Sequence, residues 1–212
     1  VIDLIANPDE IILQDEPHRY LQGGKSYVSV TGAVEDAGLG EDFSMVPRHI
    51  MERAQDRGNK VHMACEFIND DDLCMDSITD EIRGYVEAYL RFRAECKIKI
   101  IAAERKIVSA ALGFAGTPDL ICFMGGRRVV IDLKTCQRLG RGLGLQTAGY
   151  QALWEATHPS LIYARYGLKL NASGDYKLIA CEDPDDLPAF YDAIQFAKAK
   201  EKMQRWILKY KK

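Results

Sequence analysis

Asp119, Asp132 and Lys134 stand at the ends of two short apolar runs joined by Gly125-Gly126. In Val129-Val130-Ile131-Asp132-Leu133-Lys134 the β-branched run stops at a carboxylate, and a lysine follows two residues on. Strand side chains at i and i+2 share a face, so Asp132 and Lys134 project together. A hairpin at the Gly-Gly turn brings Asp119 back towards Asp132. Two carboxylates and an ammonium converging at a sheet edge make a hard-cation site with a built-in positive charge. That is the chemistry of metal-assisted phosphodiester hydrolysis. A solvated surface ion pair fits the same tripeptide, so the reading depends on other residues falling into order around it.

Several do. His62 and Glu66 are four residues apart on a predicted helix and share a face. Imidazole is a good ligand for manganese and zinc but a poorer one for magnesium, so His62 in a site implies tolerance for Mn²⁺. Glu104 follows the apolar run Ile100-Ile101-Ala102-Ala103 on the strand before Asp119, where it serves either as a metal-site carboxylate or as a solvent-facing partner of a neighbouring cation. Gln146 and Tyr150, again four apart, lie on one helical face near that carboxylate strand pair, able to hold a phosphate or to pack. Arg138 and Arg141, among Gly140, Gly142 and Gly144, suit a mobile phosphate-binding loop or a plain surface loop.

These residues need a scaffold. The chain has 212 residues, 47% apolar and 28% charged, which suits one domain with a real core. The expected organisation is an N-terminal hairpin and helical portion over about 1–97, a catalytic core over about 98–182 and a final helix over about 186–210. No apolar run approaches the roughly 20 residues of a membrane span, and the first residues lack a signal-peptide pattern. With six scattered cysteines this leads to a cytoplasmic expectation, most of the thiols being buried. The net charge of −3 excludes a uniformly basic nucleic-acid coat but allows a local basic groove.

Periodicity predicts short strands at Ile11-Ile12-Leu13, Arg19-Tyr20-Leu21 and Tyr27-Val28-Ser29-Val30-Thr31. Helices follow from about Val46 to Ile68 and from about Ser77 to Cys96. Strands are expected at 98–109, 114–123 and 128–134, then a Gly-rich link at 140–144 and a helix over Leu145–Thr157. Two antiparallel strands, 160–170 and 175–181, and a helix over Asp186–Tyr210 complete the chain. That order predicts an α/β (α+β) fold with a central mixed sheet flanked by helices.

Gly58-x-x-x-His62-x-x-x-Glu66, Glu104, Gly116-Thr117-Pro118-Asp119, Ile131-Asp132-Leu133-Lys134-Thr135 and Gln146-x-x-x-Tyr150 occur in that order over about residues 57 to 150. In this the chain resembles the RecB-like exonuclease branch of the PD-(D/E)XK nuclease superfamily, and Tyr27-Val28-Ser29-Val30-Thr31 resembles the start of its small phage and mitochondrial relatives. The resemblance implies a restriction-endonuclease-like core. It implies that His62, Asp119, Asp132 and the backbone carbonyl of Leu133 bind Mg²⁺ or Mn²⁺, with Glu66 and Glu104 supporting or holding a second ion. Lys134 would activate water and stabilise the phosphate, while Gln146 and Tyr150 would contact DNA. Some relatives carry an iron–sulfur cluster on clustered C-terminal cysteines; here Cys181 alone lies in the last third, so none is expected.

The expected function is a metal-dependent DNA exonuclease acting on single-stranded ends, in recombination, repair or replication in a bacterial or phage-infected cell. A flap endonuclease of the same fold is the alternative within the class. Outside it stand a silent nucleic-acid-binding module using Lys60, Arg138 and Arg141 with steep salt dependence, and an assembly protein using its acidic patches.

Overall fold

The computed structural model describes residues 10–14, 18–40, 46–136 and 139–210. The fold is mixed α/β. Instead of one central sheet, the strands form two, each five-stranded and mixed. The first has the order β1 (Ile12–Gln14), β2 (Arg19–Gln22), β3 (Lys25–Ser29), β6 (Phe114–Gly116) and β5 (Ile107–Ser109). The second runs β10 (Tyr176–Ala180), β9 (Ala164–Leu170), β8 (Arg127–Lys134), β7 (Leu120–Met124) and β4 (Lys99–Ala103). Parallel pairs β3–β6 and β8–β9 sit among antiparallel ones.

The division arises where two expected strands break. The stretch 98–109 becomes β4 and β5 in different sheets, separated at Glu104, whose φ of 44° is left-handed. An L-residue there is uncommon and cannot continue a pleated strand. Likewise 114–123 becomes β6 and β7, separated by Thr117-Pro118-Asp119. Proline supplies no N–H to a ladder and so marks such a break. The two crossovers meet: the Glu104 N–H donates to the Asp119 carbonyl at 3.1 Å.

The hairpin between β7 and β8 forms as the sequence predicts. Gly125 and Gly126 have φ of 57° and 78°, the conformation a two-residue type I′ turn requires. The register pairs Leu120 with Ile131 and so carries Asp119 towards Asp132. Along β8 the side chains alternate between two cores. Val129, Ile131 and Leu133 join one with α2 (Arg48–Asn69) and α3 (Asp80–Cys96). Val130 joins the other with α1 (Val30–Asp36), α4 (Gly142–Thr157) and α5 (Asp186–Tyr210). A strand covered on both faces reads as a continuous apolar run, as this one does.

Helix α1 replaces the expected extension of the strand through Val30-Thr31. Ser29 ends β3 and caps the helix, its Oγ accepting from the Gly32 N–H at 2.9 Å. That satisfies one orphan donor of the first turn. In α3, Asp80 and Glu81 open the helix and Arg93 lies in its last turn, complementing the helix dipole. The face Ile82-Tyr85-Val86-Tyr89-Phe92 is buried. By contrast α2 buries Val61, Ala64, Cys65 and Ile68, all in its second half, and leaves its first half outside the core.

The expected glycine-rich loop is largely helix. Gly142 and Gly144 lie in the first turn of α4, where an added Cβ would stand 2.5 Å from the Leu39 carbonyl oxygen and 2.3 Å from Asp186 Oδ1. These glycines permit close packing rather than motion. Of the six cysteines only Cys65 and Cys122 are buried; Cys74 is exposed and the others lie between, so burial explains fewer of them than expected. Among the described residues no helix is long and apolar enough to cross a membrane.

Candidate active site

The crossover at Glu104 and the end of β8 converge with α2 and α4 on one cleft of about 790 Å³. His62 and Glu66 face it from α2, Glu104 from its crossover, Leu133 and Lys134 from β8, and Gln146 from α4. Asp119 is 11% exposed and Asp132 only 1% by side chain.

Among the described residues, His62, Glu104 and Asp119 form a group whose potential ligand atoms all lie within 4.8 Å of one another. His62 Nδ1 is 3.3 Å from Glu104 Oε1 and 3.5 Å from Asp119 Oδ1. The other Asp119 oxygen, Oδ2, accepts the Leu133 N–H at 2.5 Å, which fixes the carboxylate against β8. That group does not extend to Asp132 or Glu66. Glu104, expected as a catalytic-site carboxylate that supports the metal or holds a second ion, is one of the three residues of that group. Its left-handed backbone conformation is the sort of local strain that functional sites retain.

Asp132 is turned to Lys134. Lys134 Nζ lies 2.8 Å from Asp132 Oδ2, yet that buried oxygen has no hydrogen bond, so proximity of charge rather than hydrogen-bond geometry joins the two. The ammonium also donates to Gln146 Oε1 at 3.1 Å. The amide of Gln146 in turn donates to the Tyr150 hydroxyl at 3.1 Å and to Thr31 Oγ1 at 3.4 Å. Thr31 and Tyr150 are themselves 3.4 Å apart. Tyr150 is 4% exposed, which leaves little of its surface for the DNA contact expected of it, and its hydroxyl accepts from Gln146.

The electrostatics follow from burial and crowding of like charge. Burial, with Asp132 and Glu104 nearby, pushes the Asp119 carboxyl up to about 7, against the pull of His62 and Lys134. His62 is pushed up to about 9: burial opposes its charge, but Asp119, Glu104 and Asp132 together outweigh that. Glu66 is raised by partial burial and then by Glu104 and Asp70. The Tyr150 hydroxyl is held far above its ordinary range by burial, then by Asp132 and Asp119, so it stays neutral. A carboxyl such as Asp119, raised first by burial and then by like charge nearby, is one that a dication would relieve. One imidazole with carboxylate oxygens is a donor set that could hold a divalent cation.

The remaining expected residues are dispersed. Lys60 is exposed and paired with Asp56 at 2.6 Å and Glu81 at 3.7 Å, and it does not line the cleft. Arg141 is exposed at the N-cap of α4, and Arg138 lies outside the described residues. Thr31 was missed because Val28-Ser29-Val30-Thr31 reads as strand. Its signal was Ser29, a capping residue three positions before Gly32. Tyr20 was missed too; its hydroxyl lies 2.8 Å from Thr117 Oγ1 and braces the second crossover from the first sheet.

No protein-family model matches the chain, and no curated protein matches it.

Proposed function

We propose that this protein is a Mg²⁺- or Mn²⁺-dependent deoxyribonuclease that hydrolyses phosphodiester bonds from single-stranded DNA ends, with the RecB-like PD-(D/E)XK nucleases as its family. The carrying observation is the convergence of His62, Glu104 and Asp119 within 4.8 Å at a cleft that also presents Lys134. The order of the motifs along the chain supports the same reading.

His62, Glu104 and Asp119 would hold the cation, with Asp132 close by. A bound dication acidifies water and offsets charge on the phosphate. Lys134 offers its ammonium to the phosphate oxygens and can exchange a proton with the attacking water. Asp132 and Gln146 hold that ammonium from two sides, so its direction is set before substrate arrives. Asp119 keeps its orientation through the Leu133 N–H, leaving Oδ1 turned to His62. Such an enzyme would act in recombination, repair or replication, in the cytoplasm of a bacterial or phage-infected cell.

The test is cleavage of end-labelled single- and double-stranded DNA, linear and circular, in Mg²⁺, Mn²⁺ and EDTA, with Asp132→Ala alongside. Loss of linear single strands, dependent on metal and on Asp132, is the expected result. Cleavage of circles would turn the reading to an endonuclease. DNA binding without cleavage of any substrate would leave a binding module.

A further inference from the structure

Arg57 stands on the exposed half of α2 and lines the cleft beside Gly58, Thr135 and Cys136. Position 58 lies against the end of β8: a Cβ there would be 3.5 Å from Thr135 Oγ1. Arg57 thus lines the same cleft as Thr135 and Cys136, the residues that follow Lys134. Its guanidinium carbon lies 5.5 Å from the centroid of the Tyr85 ring, which is itself buried. Stacking of this kind holds the planar fork in place without using its donors.

Among the described residues no partner is seen for those donors. Arg57 Nε is buried and makes no hydrogen bond, and no carboxylate of the described residues lies within 4.0 Å of the guanidinium. The other lysine or arginine in the described cleft lining is Lys134, already engaged by Asp132 and Gln146. A buried polar nitrogen without a partner costs stability, roughly 1–3 kcal/mol as a general magnitude. A group kept in that state at a cleft calls for an acceptor from outside the described residues. Guanidinium, with its parallel N–H pair, matches phosphate oxygens.

We infer that Arg57 is a phosphate-binding residue that grips the nucleic-acid backbone beside the phosphate presented to Lys134. The inference rests on the nuclease reading and adds to it a second anchoring point on α2. Two separated cationic points set the direction in which a strand crosses the cleft. Tyr85 is the positioning residue for this grip, acting through Arg57.

The test measures binding in EDTA, where no cleavage occurs, of single-stranded oligonucleotides each carrying one neutral methylphosphonate. The natural protein should lose affinity at a few positions, one of which depends on Arg57. At that position Arg57→Ala should show no further loss, having already lost about tenfold on the unmodified strand. Its salt dependence should fall by about 0.7 in slope for one single-strand phosphate contact. Arg57→Lys, which keeps charge and stem but loses the fork, should fall between the two and also serves if the alanine variant fails to fold. Identical positional profiles for natural protein, Arg57→Ala and Arg57→Lys would overturn the inference while leaving the nuclease reading intact. Failure of the natural protein to bind or cleave any strand would overturn both.

Discussion

The Asp119 carboxylate accepts the backbone N–H of Leu133 at 2.5 Å, so the crossover between the two sheets is tied to β8 between Asp132 and Lys134. One side chain therefore joins fold and site. Its Oδ2 closes a backbone contact, and its Oδ1 faces His62 at 3.5 Å.

These two tasks separate by mutation. Asp119→Asn keeps an acceptor for Leu133 and removes a crowded negative charge, so the metal-free protein should melt at the same temperature or higher. Asp119→Ala leaves the Leu133 N–H without its acceptor and should cost about 1–3 kcal/mol. Under the proposed function Mn²⁺ should stabilise the natural protein, and both variants should lose that rise together with cleavage. Melting curves with and without Mn²⁺ decide it; a metal-induced rise retained in Asp119→Asn would remove Asp119 from the ligand set.

The pH dependence has a defined sign. Asp119 has its carboxyl raised from 3.8 to about 7 in the folded chain, so its contribution is present at the acid end and lost as pH climbs to 7. His62, raised from 6.5 to about 9, contributes fully below 6.5 and loses that contribution as pH rises through 9. Both point the same way: the metal-free protein should lose stability from about pH 4 to 9, apart from other titrating groups. Saturating Mn²⁺ should flatten the slope, because cation replaces protons. His62→Gln should flatten the segment between pH 6.5 and 9 in EDTA, and an unchanged slope there would disprove the assignment to His62.

Lys134 and its supports should grade in effect. Lys134→Ala should abolish turnover while the metal-induced melting shift persists. Gln146→Leu should reduce kcat by about tenfold through loss of a charge-assisted hydrogen bond. Tyr150→Phe keeps the packed ring and removes only the hydroxyl that accepts from Gln146, so a drop of a few fold in kcat is expected, with stability changed by about 1 kcal/mol or less. Steady-state kinetics check the order; an effect of Tyr150→Phe larger than that of Gln146→Leu would contradict it.

Gly84 in α3 tests the packing of the second sheet's edge. A Cβ there would fall 1.9 Å from the Ala172 carbonyl oxygen, in the turn between β9 and β10. Helix propensity favours alanine by about 1 kcal/mol. Overlap with backbone, which cannot rotate aside, should reverse that sign and leave Gly84→Ala about 1–3 kcal/mol less stable. Chemical denaturation reads this directly, and a stabilised Gly84→Ala would show that the turn yields.

Local pattern carried much of the architecture. The hairpin over Gly125-Gly126, the pair Asp132 and Lys134 on one face, the extents of α3 and α5, and the antiparallel pairing of β9 with β10 follow from side-chain period and turn chemistry. Those rules act over a few residues, and a sequence displays them without reference to the rest of the chain.

The partition of strands between sheets was not legible in the same way. Nothing in Ile100-Ile101-Ala102-Ala103-Glu104-Arg105-Lys106-Ile107 marks Glu104 as left-handed, since glutamate has no intrinsic preference for that conformation. Pro118 was a readable break; Glu104 was not. The glycines of α4 misled for a related reason: a glycine needed for close approach to Asp186 looks, in sequence, like one needed for motion.

By itself, then, the sequence determined which residue types stand at which strand ends and helix faces, because periodicity and turns are local. Only the tertiary structure decided that Glu104 joins His62 and Asp119, and that Gln146 of α4 meets Lys134 of β8. Those relations join residues up to 57 positions apart, from His62 to Asp119, and are set by how two sheets cross rather than by any property of the segments that meet.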